Sequence, residues 1–211
     1  MSRTQKTVIV LAAFVALVLG LTVHKVLNSR GDGTDKVALL DAGIVLLPQG
    51  RSLPELSLTD QDGQALRVDQ LREKWSLLFF GYTFCPDICP ATLAQLRQLQ
   101  GMLPAETRER LRVVLVTVDP HRDTPAQLKQ YLGFFDAGFQ GLTGAEADIQ
   151  KLASAVSIPY IPADTSQENY TVDHSGNLVI IGPYGQQRGF IRAPLNNDKR
   201  AEQLPGLLKS S

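Results

Sequence analysis

The sequence predicts an α/β domain, a mixed sheet flanked by helices, carried behind an N-terminal transmembrane helix. Three observations predict it. Residues 7–23 (TVIVLAAFVALVLGLTV) run for 17 positions without a charge. Two short apolar runs, LLFFGY at 77–82 and VVLVTV at 113–118, read as strands buried on both faces, and a helical pattern follows each. Near the C-terminus two more strand-like stretches, 178–181 and 186–191, flank the turn Gly182-Pro183-Tyr184-Gly185.

Composition narrows the class of function. Hydrophobic residues make up 44% of the 211 and charged residues 20%, enough apolar surface to build a core, so disorder as the main state is excluded. Lys and Arg total 21 and so do Asp and Glu. A net charge of zero offers no basic field for nucleic acid. Cys and Met number two each and His three, so few metal sites can be written. A Met-rich copper site is excluded, because Met1 is the initiator and Met102 stands alone.

The elements follow in order. Residues 1–6 form a short tail, and 7–25 an uncleaved anchor whose apolar run, 7–23, has Arg3 and Lys6 before it and His24 and Lys25 after it. No convincing small-x-small cleavage site follows the apolar run, which argues against a signal peptide. Lys and Arg counts leave its orientation open, since Lys25, Arg30 and Lys36 follow the span. Residues 26–52 read as a linker, polar at NSRGDGTDK and then briefly apolar, and the compact domain spans 53–211. Within it, 57–66 holds the turn Asp60-Gln61-Asp62-Gly63 and reads as a hairpin. After the first buried strand, Leu93, Leu96 and Leu99 mark a helix over 90–99, stopped by Gly101 and Pro104. After the second, Thr124 and Pro125 read as a cap and a first helical residue, with Leu128, Tyr131, Leu132 and Phe135 on one face. Thr143 and Glu146 have capping-box spacing and open another helix that turns Ile149, Leu152 and Val156 inward. A last helix falls in 195–209, broken or delayed by Pro205. Strands alternating with helices imply a parallel sheet covered on both faces, with an antiparallel hairpin added at the end. This is the element order of a thioredoxin-like fold with insertions.

Both cysteines fall in Phe84-Cys85-Pro86-Asp87-Ile88-Cys89-Pro90, between the first buried strand and the first helix. Ligands favour the carboxyl end of a parallel strand, and a helix N-terminus stabilises thiolates. Either Cys89 or Asp87 caps this helix, and both sulfurs face one side of its first turn. A structural disulfide here closes a very small loop worth only about 2 kcal/mol, which a domain of this size does not need. Redox chemistry and metal binding remain. His24 sits at the membrane edge, and His121 in a strand-to-helix loop reads as an exposed side chain. His174 precedes the strand at 178–181. Thioredoxin-like redox proteins place a cis-proline facing the dithiol there; here no proline stands between Asp164 and Pro183, and a histidine takes that place. Two thiolates and an imidazole form a soft set that selects Cu(I), and the imidazole also suits Cu(II). Zn²⁺ accepts the same donors but wants a fourth.

The stretches GYTFCPDICPATLAQL, VTVDPHRDTP and YTVDHSGNLVIIGPYG resemble, in order and spacing, those of the Sco/SenC family of membrane-anchored copper chaperones. The resemblance covers about 53–195 plus the anchor. It implies a thioredoxin-like domain that binds one copper and assists maturation of the dinuclear copper site of cytochrome c oxidase. By motif position the copper ligands are Cys85, Cys89 and His174, and the two cysteines can form a redox-active disulfide. Asp119, Arg122, Asp123, Thr124 and Pro125 match the second motif, and His121 stands where the family is expected to carry an acidic residue. Asp87, Asp119 and Asp173 are candidates to surround the metal without holding it. The implied partners are the copper-bearing oxidase subunit, and a copper donor or thiol reductase. The implied location is a bacterial inner membrane with the domain in the periplasm, or the mitochondrial inner membrane facing the intermembrane space. A membrane-anchored thiol–disulfide oxidoreductase acting on a partner's cysteines is the alternative, and a peroxidase a weaker third.

Overall fold

The computed structural model describes residues 2–29, 36–158, 160–162, 164–166 and 169–209. The chain divides into two units, Met1–Asp35 and Lys36–Ser211. In the first, helix α1 (Arg3–Ser29) includes Arg3–His24, 22 residues apolar enough to cross a membrane. At 1.5 Å per residue that is about 33 Å, close to the thickness of a bilayer's hydrocarbon core. The two hydroxyls in its uncharged run, on Thr7 and Thr22, donate to the carbonyls of Arg3 and Val18 four residues back, which suits an apolar surrounding.

The second unit begins with a short helix α2 (Lys36–Asp41) and strand β1 (Ile44–Ser52). A hairpin of β2 (Ser57–Asp60) and β3 (Ala65–Arg67) follows, with the Asp60 carboxylate taking the amides of Asp62 and Gln64 in its turn. Then come β4 (Trp75–Gly81), α3 (Ile88–Met102), α4 (Ala105–Glu109), β5 (Leu111–Thr117), α5 (Pro125–Gly133), β6 (Gln140–Thr143) and α6 (Glu146–Ala155). The chain ends in β7 (Leu178–Ile181), β8 (Gln186–Ile191) and α7 (Asn197–Lys209). The eight strands form one mixed sheet in the order β1-β8-β7-β4-β5-β6-β2-β3. β4, β5 and β6 run parallel, and the flanking pairs are antiparallel. Every residue of β4 is buried, as its unbroken apolar run requires. Because β4 and β5 are parallel, the segments leaving them, 82–87 and 118–124, emerge at the same end of the sheet.

Several local features differ from the sequence reading, the short helices α2 and α4 among them. β1 lies in the stretch read as linker, and pairs antiparallel with β8. Gly189 permits this, since a Cβ there would stand 2.1 Å from the Val45 carbonyl oxygen. β6 was unforeseen, being four residues with a glycine, too short to show an alternation. Thr143 therefore ends a strand and caps nothing; Ala145 holds the N-cap position of α6 without a side-chain bond. Pro205 does not interrupt α7, which runs through it with Leu204, Leu207 and Leu208 buried on the core. α5 matches its reading, with Thr124 accepting the Gln127 amide at 3.2 Å and Pro125 in the first turn.

Candidate metal centre

The site begins at the end of β4. Gly81 leaves room for the Cys89 sulfur, which lies 2.6 Å from where a Cβ would stand. The next amide, of Tyr82, donates to that sulfur at 3.4 Å. The chain then turns through Cys85, whose amide bonds the Tyr82 carbonyl, and enters α3 at Ile88. Asp87 holds the N-cap position but caps with no side-chain bond, and it is exposed. Cys89 is the second helical residue and Pro90 the third, where a missing N–H costs nothing because first-turn amides have no partner in the helix. Both cysteines are free thiols; Cys85 is 9% exposed and Cys89 fully buried. Burial pushes the Cys89 thiol well above its usual value, and the Tyr82 amide offsets part of that.

His174 comes from the stretch between α6 and β7, which carries neither helix nor strand among the described residues. Its Nε2 lies 3.3 Å from the Cys89 sulfur, and its Nδ1 faces the Ser175 carbonyl at 3.4 Å. The ring stands edge-on to Phe79 and Tyr82, with centroids 5.9 and 5.6 Å apart. Burial holds its pKa below the ordinary histidine value, so the imidazole is neutral at neutral pH, the form that binds metals. The donor atoms of Cys85, Cys89 and His174 all lie within 4.8 Å of one another. Two donors about 2.3 Å from one ion can stand up to about 4.6 Å apart, so the three fit a single ion with small side-chain adjustments.

A polar network ties the neighbouring loops together. The buried carboxylate of Asp123 accepts the Thr83 amide and the hydroxyls of Thr83 and Thr117. Asp119, also buried, accepts from the Arg122 guanidinium and, at 2.8 Å, from the Tyr170 hydroxyl. Arg122 donates to the Tyr170 carbonyl at 3.1 Å. Of the acidic candidates, Asp119 belongs to this network. Asp173 is exposed, and its carbonyl takes the Ile161 amide. His121 bonds Glu146 at 3.0 Å on the surface, outside the donor cluster. The sequence reading missed Gly81, Tyr82 and Tyr170 as parts of the site. A glycine closing an apolar strand just ahead of two cysteines was a usable signal; Tyr170 showed only as the first residue of the third motif.

The family model described as SCO1/SenC matches residues 48–209. A Stutzerimonas stutzeri protein whose name proposes copper binding is 51% identical over 175 residues, 82% of this chain and 86% of its own. The SCO2-like protein of Rickettsia conorii is 37% identical over 134 residues, 63% of this chain, and the match spans 65% of that relative's length. Among solved structures, Bradyrhizobium japonicum ScoI with copper bound superposes with a TM-score of 0.64 at 31% identity, covering 72% of this chain and 97% of that one. Yeast Sco1 with copper bound gives 0.67 at 27% identity, over 76% and 90%. These likenesses carry the thioredoxin-like fold expected from the element order. The chain belongs to the SCO1/SenC family.

Proposed function

We propose that this protein is a copper chaperone that holds one copper ion through Cys85, Cys89 and His174 and passes it to the dinuclear copper site of cytochrome c oxidase. The observation that carries the reading is the convergence of two sulfurs and a neutral imidazole within 4.8 Å. A soft set of three donors suits Cu(I), and the imidazole lets Cu(II) bind as well. The copper-bound relatives support copper over zinc. Copper is cargo here, and the residues' task is to gather it and release it. Helix α1 anchors the domain to a membrane, with the domain on the periplasmic or intermembrane-space side.

The alternative, a thiol–disulfide oxidoreductase, draws on two free thiols four residues apart, Cys85 in the loop before α3 rather than in its first turn and Cys89 inside the helix. Against it stands the burial of Cys89, which keeps that sulfur protonated and slow as a nucleophile until a metal takes the proton's place. Anaerobic Cu(I) titration of the reduced domain, followed by insulin-disulfide reduction, separates the two. One copper per chain is expected. Cys85→Ser and Cys89→Ser should each weaken Cu(I) retention by more than the roughly 10–100-fold that follows loss of a ligand's supporting partner. His174→Ala should keep Cu(I) on two thiolates but disturb the thiolate-to-Cu(II) absorption. An unchanged Cu(II) spectrum in His174→Ala, with fast insulin reduction by the parent domain, would favour the oxidoreductase.

A further inference from the structure

We propose that Arg122 is a positioning residue that clamps the segment carrying His174 against the segment carrying Cys85 and Cys89, and so decides whether the imidazole takes part in the site. This rests on the copper reading above. The guanidinium carbon lies 3.7 Å over the Tyr170 ring and 4.8 Å over the Phe84 ring. Phe84 immediately precedes Cys85, and Tyr170 stands four residues before His174. One cation thus stacks on an aromatic ring from each ligand-bearing segment. Stacking of this kind is attractive, the more so where water is excluded, and Arg122 is only 21% exposed.

Hydrogen bonds fix the clamp in direction. Arg122 Nε donates to one oxygen of Asp119 and Tyr170 Oη to the other, while an Arg122 terminal nitrogen reaches the Tyr170 carbonyl. Asp119 is anchored in turn, since its amide bonds the Thr117 hydroxyl, which donates to Asp123. Asp123 holds Thr83 on the cysteine side. The His174 segment has no strand ladder of its own before Leu178, so its place depends on such ties. The Val172 amide bonding the Tyr82 hydroxyl at 3.3 Å is a second tie, and the Tyr82 ring abuts His174. A lysine would not replace Arg122, because an ammonium cannot present a flat face to two rings while donating along a fixed fork.

The test uses Arg122→Ala, Arg122→Lys and Tyr170→Phe, alone and with His174→Ala, read by Cu(I) retention, the Cu(II) spectrum and NMR of the metal-free domain. Arg122→Ala should lower Cu(I) retention no further than His174→Ala does. It should weaken Cu(II) binding by about tenfold, the low end for loss of a ligand's supporting partner, and move the absorption toward that of His174→Ala. Arg122→Lys should not restore it. Tyr170→Phe keeps the ring but loses the bond to Asp119, and should move the spectrum less, in the same direction. Added to His174→Ala, Arg122→Ala should change copper binding no further, because two residues acting through one contact are not additive. In the metal-free protein the His174 ring protons, held beside two aromatic rings, should shift in Arg122→Ala. Unmoved ring protons, or additive effects on Cu(II) in the double variant, would overturn the clamp. Should the parent domain take no copper while the ring protons still shift, the clamp stands and the chaperone reading falls. If Arg122→Ala does not fold, Tyr170→Phe carries the same comparisons.

Discussion

A single hydrogen atom at position 81 decides where the Cys89 sulfur can sit. A methyl group on Gly81 would stand 2.6 Å from the Cys89 sulfur, 3.0 Å from the Phe79 ring and 3.3 Å from Leu115. Those neighbours are buried core, so the sulfur is the softer partner and must move. Gly81→Ala is expected to lower Cu(I) retention by about tenfold or more while the domain stays folded. Parallel copper titration and thermal unfolding check it; intact affinity would mean that the sulfur has room elsewhere. Cys85, Cys89 and His174 were legible in the sequence because their side chains are scarce in this chain and chemically distinctive. The bonds that Asp123 and Tyr170 make were not, because their partners, Thr83 and Asp119, lie 40 and 51 positions away. Local pattern carries no trace of such pairings.

At the scale of elements, the central strands read clearly because they are buried over nearly their whole length. β4 and β5 show as apolar runs because helices cover both faces of the central sheet. β1 escaped notice because it is an edge strand that mixes exposed Gln49, Arg51 and Ser52 with buried Ile44 and contains Pro48. Its pairing also slips between Leu46 and Arg51, which erases any regular alternation. What holds β1 in place is close approach to β8 at Gly189. Gly189→Ala puts a methyl 2.1 Å from the Val45 carbonyl oxygen, and neither backbone can yield cheaply. A loss of about 1–3 kcal/mol in stability is expected, the usual cost of overpacking. Amide exchange should rise first in β1 and β8. Uniform acceleration across the whole sheet would show that β1 is not a separately detachable element.

For the molecule as a whole, the division at residue 35 has a practical consequence. A chain beginning at Lys36 retains all eight strands and all three proposed copper ligands. It is expected to fold, to remain soluble and to match the copper affinity of the full chain. The full chain, carrying the uncharged run 7–23 within α1, is expected in the membrane fraction, resistant to alkaline extraction. Fractionation and titration of both forms check this. Aggregation of the shorter chain, or weaker copper binding, would mean that the first 35 residues do more than tether.

The strand order imposes one more demand. β1 and β2 are consecutive in the chain, yet six inter-strand spacings separate them in the sheet. At about 4.8 Å each, a flat sheet would hold them about 29 Å apart. Five peptide steps, from Ser52 to Ser57, reach at most about 18 Å. The sheet must therefore coil until its two margins draw together, well beyond a planar ribbon. Leu53 and Leu56, both buried in that short connection, act as a drawstring. A coiled sheet whose margins are a three-residue strand and a bulged, proline-bearing one offers little purchase for stacking against a second copy, which guards the chain against polymerising along its edges.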